Sequence, residues 1–230
     1  MSTILHLETS EKLCSVAVAN NGKMLAYDMA SASNDHARQI TLVIERVLQQ
    51  AELHLDQFSA IAISSGPGSY TGLRVAASAS KGICYALDIP LIAINTLISL
   101  AHAAEQQTSE EAVYVPMMDA RRMEVYTAVY DAQLKPVIVP HARIMDENSL
   151  QELVGGFDVP IIICGSGSHK CKHLFNSDNM LYREDLINNA KNLIRPAYQA
   201  YCNDVFEDAA YFKPFYLKAP NITTPKPILK

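Results

Sequence analysis

The stretch SAIAISSGPGSYTGLRVAASASKGICYAL, residues 59–87, decides the fold of this 230-residue chain. Its first part, residues 59–64, is an apolar run typical of a buried strand. A loop over residues 66–72 contains three glycines, and a helix is predicted after it over residues 73–87. A strand, a glycine-rich turn and a helix in this order are a building unit of α/β domains.

Upstream of this unit lies a predicted meander of three strands and a helix. Apolar runs cover residues 4–9 and 13–19, and an Asn21-Gly22 turn leads into a third run over residues 23–29. A helix follows over about residues 35–53, because the apolar positions there have helical spacing. These positions are Ile40, Val43, Ile44, Val47, Leu48 and Ala51.

The second half of the chain repeats this order. A short strand over residues 91–94 and a polar stretch over residues 105–111 end the first half. Strands are then predicted over residues 113–118, 124–130, 134–139 and 160–164, with a short helix near 149–154 and helical segments after 164.

A doubled βββαβα plan is the signature of the actin, Hsp70 and sugar-kinase architecture, an α/β fold whose two related subdomains face each other across a cleft. We predict a first subdomain over residues 1–105 and a second over residues 106–230. The second ends in a tail over residues 220–230, which we expect to be loose because three of its residues are prolines.

Composition argues against several classes of protein. The net charge is −5, without a block of lysines and arginines, which disfavours strong independent binding to a polyphosphate. The five cysteines include no C-x-x-C pair and mostly lie in apolar runs, so we expect reduced thiols in the core. No leader is predicted, and no apolar run approaches the roughly 20 residues that span a bilayer, so we expect a cytoplasmic protein without membrane contact.

The loop segment SSGPGSYTGLR, residues 64–74, resembles the hallmark of the TsaB family, formerly called YeaZ. Two further blocks match that family: ILHLETSEKLCSVAV from Ile4, where the family usually has aspartate at the position of Glu8, and MMDARRMEVYTAVY over residues 117–130. The resemblance implies a partner protein in bacterial threonylcarbamoyladenosine synthesis on tRNA. Such a protein binds the catalytic subunit TsaD, is joined by the ATPase TsaE, reaches tRNA only through the complex and forms a homodimer when TsaD is absent.

The resemblance to TsaD itself indicates what this chain lacks. TsaD carries an H-x-x-x-H pair that binds metal after a segment similar to IPLIAIN, residues 89–95, and the two histidine positions fall here on Thr96 and Leu100. A hydroxyl and an isobutyl group supply at most one weak ligand. The resemblance therefore implies a non-catalytic subunit with no catalytic residue, metal or cofactor of its own.

Small side chains over residues 76–86 let another helix come close, either from the same domain or from a partner. The glycine loop before them is open to two interpretations, an anion site at a helix start or a turn that only redirects the chain. With the resemblance, these features predict an interface formed by Gly68, Thr71, Arg74, Ala79 and Gly82, together with Ile40, Val43 and Val47 of the first helix.

Two further clusters could carry chemistry. Asp119, Arg121 and Arg122 could hold a substrate or lock a hairpin corner, and we favour the structural role. The other cluster has metal-ligand residue types, but its C-x4-H-x-C-x-H spacing is not a common zinc pattern, which favours a turn that begins a helix. The cluster consists of Cys164, His169, Cys171 and His173.

Two other functions compete with the partner-protein hypothesis. The fold is shared with ATP-dependent kinases, and Glu8 could bind magnesium, although a second acidic companion near it is absent. Relatives were once labelled glycoproteases, but a metallopeptidase needs a metal and a general base that Thr96, Leu100 and the remaining histidines do not provide.

Overall fold

The computed structural model describes residues 2–30, 35–174 and 177–219. The strands are β1 (Thr3–Glu8), β2 (Ser15–Asn20), β3 (Lys23–Met29), β4 (Ala60–Gly66), β5 (Leu91–Asn95), β6 (Val113–Asp119), β7 (Glu124–Tyr130), β8 (Pro136–Ile144), β9 (Ile161–Cys164) and β10 (Met180–Arg183). The helices are α1 (His36–Ala51), α2 (Tyr70–Leu87), α3 (Thr96–Glu105), α4 (Glu147–Val154), α5 (Ser168–Cys171) and α6 (Ile194–Cys202). The predicted tail over residues 220–230 lies outside the described residues.

The first sheet has the order β3-β2-β1-β4-β5. The meander β1-β2-β3 is antiparallel, and β4 and β5 extend it in parallel to β1. All residues of β1 are buried, because both faces of the sheet are covered. Leu5 and Leu7 belong to the core beneath α1 and α2, whereas Ile4 on the opposite face packs in a cluster with Ala197 of α6.

The second sheet repeats this topology in the order β10-β9-β6-β7-β8. Here β6, β7 and β8 form the antiparallel meander, and β9 and β10 run parallel to β6. Two sheets of the same order and strand direction are what a duplicated βββαβα plan requires. The predicted actin, Hsp70 and sugar-kinase-like fold is therefore confirmed.

Packing crosses the predicted boundary between residues 105 and 106. Leu97 and Leu100 of α3 belong to a core cluster of the second sheet that includes Tyr114. In the opposite direction, Leu193 and Ala197 of the second half pack in a cluster of the first sheet. Each half thus helps to close the core of the other, and the boundary itself stays a prediction.

Several elements differ from prediction for local reasons. Helix α2 begins at Tyr70, three residues early, because the Ser69 side chain caps it by accepting a hydrogen bond from the Gly72 N–H. Strand β8 continues past Pro140, which is tolerated because β8 is an edge strand and needs no N–H on its outer side. Helix α3 and strand β10 were not predicted as elements. Among the described residues, no helix is long and apolar enough to cross a membrane.

Candidate functional site

The glycine loop packs against the turn that joins β1 to β2. A Cβ on Gly72 would lie 2.0 Å from the Thr9 carbonyl oxygen, and a Cβ on Gly68 would lie 2.6 Å from the Ser10 carbonyl oxygen. Two of the loop amides are also engaged, since the Ser69 N–H donates to the Ser10 carbonyl at 2.6 Å and the Gly72 N–H donates to the Ser69 side chain at 3.2 Å. These contacts favour the interpretation of the loop as a close-packed turn, because an anion site needs free N–H groups.

Glu8 is buried next to this loop, with 1% of its surface exposed. Its carboxylate accepts hydrogen bonds from the Ser10 N–H at 2.6 Å and from the Ser64 hydroxyl. Burial raises the pKa of Glu8, because desolvation disfavours the charged form. In the part of the chain that the structure describes, no group of three or more His, Cys, Asp or Glu side chains is placed to hold a metal ion, at Glu8 or elsewhere.

Glu11 connects the two halves of the molecule. Its carboxylate accepts a hydrogen bond from the Ser166 hydroxyl, in the turn after β9, and another of 3.0 Å from the Asn188 side-chain amide. Burial raises the pKa of Glu11, and the negative charge of Asp119 raises it further. No sequence pattern indicated this contact, because the two partners lie 155 and 177 positions away.

One face of helix α2 is exposed to solvent, and at Gly82 this face carries no side chain. Thr71, Arg74, Ser78, Gly82 and Tyr85 are exposed at helical spacing, and Tyr85 is 92% exposed. A Cβ on Gly82 would meet no atom within 4 Å, so the glycine leaves the helix backbone accessible. The neighbouring Ala79, by contrast, is half-buried and packs against the core of the chain itself. We call the exposed residues Thr71, Arg74, Ser78, Gly82 and Tyr85 the α2 face.

Helix α1 contributes a groove rather than the side chains that were predicted. Ile40, Val43 and Val47 are 2%, 0% and 0% exposed, because they pack in the chain's own core, so they present no surface to a partner. A groove of about 740 Å³ runs between α1, the turn after it and α2. We call it the α1–α2 groove; it is lined by Thr41, Ile44, Glu45, Leu48, Gln49, Glu52, Leu53, His54, Leu55 and Ile83.

The C-terminal part of the described chain runs along α2. Lys81 donates a hydrogen bond of 3.0 Å to the Ala210 carbonyl, and the Phe215 N–H donates one of 2.7 Å to the Ser65 carbonyl. At the start of the helix, the ring centroids of Tyr70 and Tyr216 are 5.0 Å apart. Sequence reasoning missed this segment, since it has no regular periodicity after α6.

The Asp119 carboxylate locks the corner of the β6–β7 hairpin. It accepts a hydrogen bond of 2.9 Å from the Arg121 N–H and forms an ion pair with Lys170. The guanidinium groups of Arg121 and Arg122 take no part in this lock. Both side chains are exposed, and the two residues have φ angles of +70° and +50°, a region that residues with a Cβ rarely adopt.

The cysteine and histidine cluster does not converge. Cys164 and Cys171 are buried in different core clusters, and burial raises the pKa of the Cys164 thiol to about 12. The His169 ring instead packs edge-on against Tyr182, with centroids 6.1 Å apart. His173 belongs to a short 3-10 turn after α5. These positions support the interpretation of the segment as a turn and short helix.

Comparison with known proteins places this architecture in a family. Residues 30–151, more than half of the chain, match the family model described as TsaD, tRNA N6-adenosine threonylcarbamoyltransferase. The protein named tRNA threonylcarbamoyladenosine biosynthesis protein TsaB in Haemophilus influenzae is 38% identical over 124 residues, which are 54% of this chain and 52% of that protein. The chain belongs to the TsaB (YeaZ) family. The match to the TsaD model agrees with the relationship between the two families that the sequence indicated.

Other members of the TsaB family match over a greater length. The Escherichia coli protein of the same name is 27% identical over 230 residues, with 94% of each chain covered. The solved structure of YeaZ from Pseudomonas aeruginosa has a TM-score of 0.82 and 26% identity, and covers 94% of this chain and 100% of that one. The chain thus spans about half of the Haemophilus relative and nearly all of the other two.

Proposed function

We propose that this chain acts in the synthesis of threonylcarbamoyladenosine on tRNA as a non-catalytic subunit that binds and supports the catalytic subunit TsaD. Membership of the TsaB family supports a role in this pathway, because the Haemophilus influenzae and Escherichia coli members are named tRNA threonylcarbamoyladenosine biosynthesis proteins. In this proposal, TsaD transfers threonylcarbamoyl to the adenosine, TsaE joins the pair, and tRNA reaches this chain only within the complex. Without TsaD, the same surface would support a homodimer.

The observation that carries the non-catalytic part is the pair Thr96 and Leu100. These residues occupy the positions that the resemblance to TsaD assigns to its metal-binding histidines. Both are 0% exposed. Leu100 packs with Leu97 and Tyr114 in the core of the second sheet, so the position serves the stability of this chain. A hydroxyl and an aliphatic group in a packed core cannot replace two imidazole ligands.

The α2 face and the adjoining α1–α2 groove are the surface that we assign to TsaD. Gly82 leaves the α2 backbone open, which suits a partner helix that packs closely. Leu48, Leu53 and Ile83 supply apolar surface in the groove. Polar and acidic side chains lie around it, and a partly apolar patch with a polar surround is the usual composition of a protein interface.

A reconstituted reaction tests the function directly. The purified chain, TsaD and TsaE are combined with threonylcarbamoyl adenylate and an unmodified tRNA transcript, and each component is omitted in turn. We expect modified adenosine only when TsaD is present, and a strong fall in its formation when this chain is left out. The isolated chain should hydrolyse neither ATP nor a peptide. The proposal would be contradicted if the chain alone turned over a substrate and a Glu8→Ala variant purified in parallel did not. That result would favour a kinase-like enzyme.

A further inference from the structure

The tip of the β6–β7 hairpin carries two adjacent arginines without a partner. Neither the Arg121 nor the Arg122 guanidinium forms an ion pair or a side-chain hydrogen bond with any residue that the structure describes. Both residues hold their left-handed backbone conformation although glycine or asparagine would adopt it with less strain. Two large cationic side chains at a strained, exposed turn favour a functional role for those side chains.

Asp119 and Glu124, the acidic residues that flank this tip in sequence, already have partners within the chain. Asp119 pairs with Lys170, and Glu124 accepts two hydrogen bonds from Lys218, the longer of 2.6 Å. Glu11 is engaged by Ser166 and Asn188. The two carboxylates that flank the arginines in sequence are therefore each paired with a lysine, and Lys12 adds a further positive charge close enough to influence Asp119. The hairpin tip is thus a positive region on a chain whose net charge is −5.

We propose that Arg121 and Arg122 contact the phosphate backbone of tRNA when this chain is bound to its catalytic partner. Two observations favour an RNA backbone. The guanidinium is the side chain best suited to phosphate, because its N–H groups form a planar fork. In addition, both arginines are exposed, which fits a polyanion that lies on the surface.

This contact adds to the affinity of the complex and does not replace a binding site on TsaD. Two arginines contribute only part of the several phosphate contacts that stable binding of RNA requires. The isolated chain is therefore expected to bind tRNA weakly, in agreement with its negative net charge. The inference rests on the proposed function, because it places this chain beside tRNA through TsaD.

Salt-dependent binding tests the inference. The complex of the full chain with TsaD is titrated with unmodified tRNA at several salt concentrations, with the unaltered chain and with the double variant Arg121→Gln/Arg122→Gln. We expect the variant to weaken tRNA binding about three- to tenfold and to reduce the slope of log Kd against log salt by about one to two. Its affinity for TsaD should not change.

Two matched variants separate charge from structure. Lys23→Gln/Lys135→Gln removes the same charge from two other exposed positions, the start of β3 and the connection between β7 and β8, and we expect it to leave tRNA binding and its salt slope unchanged. Arg121→Lys/Arg122→Lys keeps the charge, and should retain most of the binding and the full slope. Equal losses of affinity in the lysine and glutamine variants, with the salt slope unchanged in both, would overturn the inference, because hairpin shape rather than a phosphate contact would then be responsible.

The outcomes also distinguish this inference from the proposed function. Binding of the unaltered chain to TsaD is measured first, without tRNA. If the chain binds TsaD and the glutamine variant binds tRNA as well as the unaltered complex does, this inference alone is contradicted. If the unaltered chain does not bind TsaD, the proposed function fails, and with it the inference that depends on it.

Discussion

The Asn188 side-chain amide lies 3.0 Å from a carboxylate oxygen of Glu11 and donates a hydrogen bond to it, although the two residues are 177 positions apart. Asn188 is 2% exposed, so its own side chain has little access to water. The Ser166 hydroxyl donates to the same carboxylate. One acidic side chain of the connection between β1 and β2 thereby ties two loops of the second half to the first half.

Replacement of Glu11 should lower the stability of the whole molecule. Glu11→Ala leaves the donors of Ser166 and Asn188 without an acceptor, which costs about 1–3 kcal/mol for a buried group. Glu11→Gln keeps one acceptor oxygen and should cost less. Urea denaturation measures the free energy of unfolding, with Glu110→Ala as the control, because Glu110 is exposed. Equal stabilities for Glu11→Ala and the control would show that the contact contributes nothing.

The buried carboxyl of Glu8 predicts a pH dependence of stability. Because burial raises its pKa above the ordinary value of 4.5, the folded state binds a proton more tightly than the unfolded state does. The stabilisation is fully present below pH 4.5 and is lost as the pH rises through the folded-state pKa. Glu8→Gln, which cannot titrate, should show a smaller loss over that range in melts at stepped pH. A variant curve parallel to that of the unaltered chain would contradict the assignment.

Two glycines of α2 should respond in opposite ways to the same substitution. Gly72→Ala would place a Cβ 2.0 Å from the Thr9 carbonyl oxygen, and the forced backbone shift should cost about 1–3 kcal/mol or more. Gly82→Ala meets no atom within 4 Å and should stabilise the helix by up to about 1 kcal/mol. Thermal melts of both variants decide the point. A neutral Gly72→Ala would mean that the loop does not pack against the β1–β2 turn.

Histidines placed at positions 96 and 100 should not create a metal site. Thr96→His/Leu100→His introduces two polar rings where both native side chains are 0% exposed, which should destabilise the fold by about 2 kcal/mol or more. We expect no zinc uptake in a calorimetric titration of the folded variant. An unchanged melting temperature together with binding of one zinc ion per chain would contradict the view that this position has become part of the core.

Local patterns were sufficient for the duplicated fold and insufficient for the surface. The apolar run over residues 4–9 predicted a strand, and the helical spacing of Ile40, Val43 and Val47 predicted an amphipathic helix, because such spacing places apolar side chains on one face. The same periodicity does not show whether an apolar face packs within the chain or against a partner protein. Ile40, Val43 and Val47 are therefore core residues, and the exposed residues of the interface have to be found from the packing.

Contacts over long separations in sequence were beyond prediction. The hydrogen bond between Glu11 and Asn188 and the path of the Phe215 segment along α2 correspond to no local sequence pattern. Gly82 and Ala79 are both predicted at the interface for their small size, but Gly82 faces open space whereas Ala79 packs inward. Size alone does not distinguish the two, because both occur in the same run of small residues.

The association of the Gly82→Trp variant with TsaD tests the central claim most directly. The unaltered chain, Gly82→Trp and the control Asn148→Trp, on the exposed surface of α4, are each titrated against TsaD, and their thermal melts are recorded in parallel. Because nothing within the chain occupies the space at Gly82, we expect Gly82→Trp to melt like the unaltered chain and to bind TsaD at least about tenfold more weakly, which corresponds to about 1.4 kcal/mol. Asn148→Trp should bind normally. A folded Gly82→Trp that binds TsaD with unchanged affinity would contradict the account.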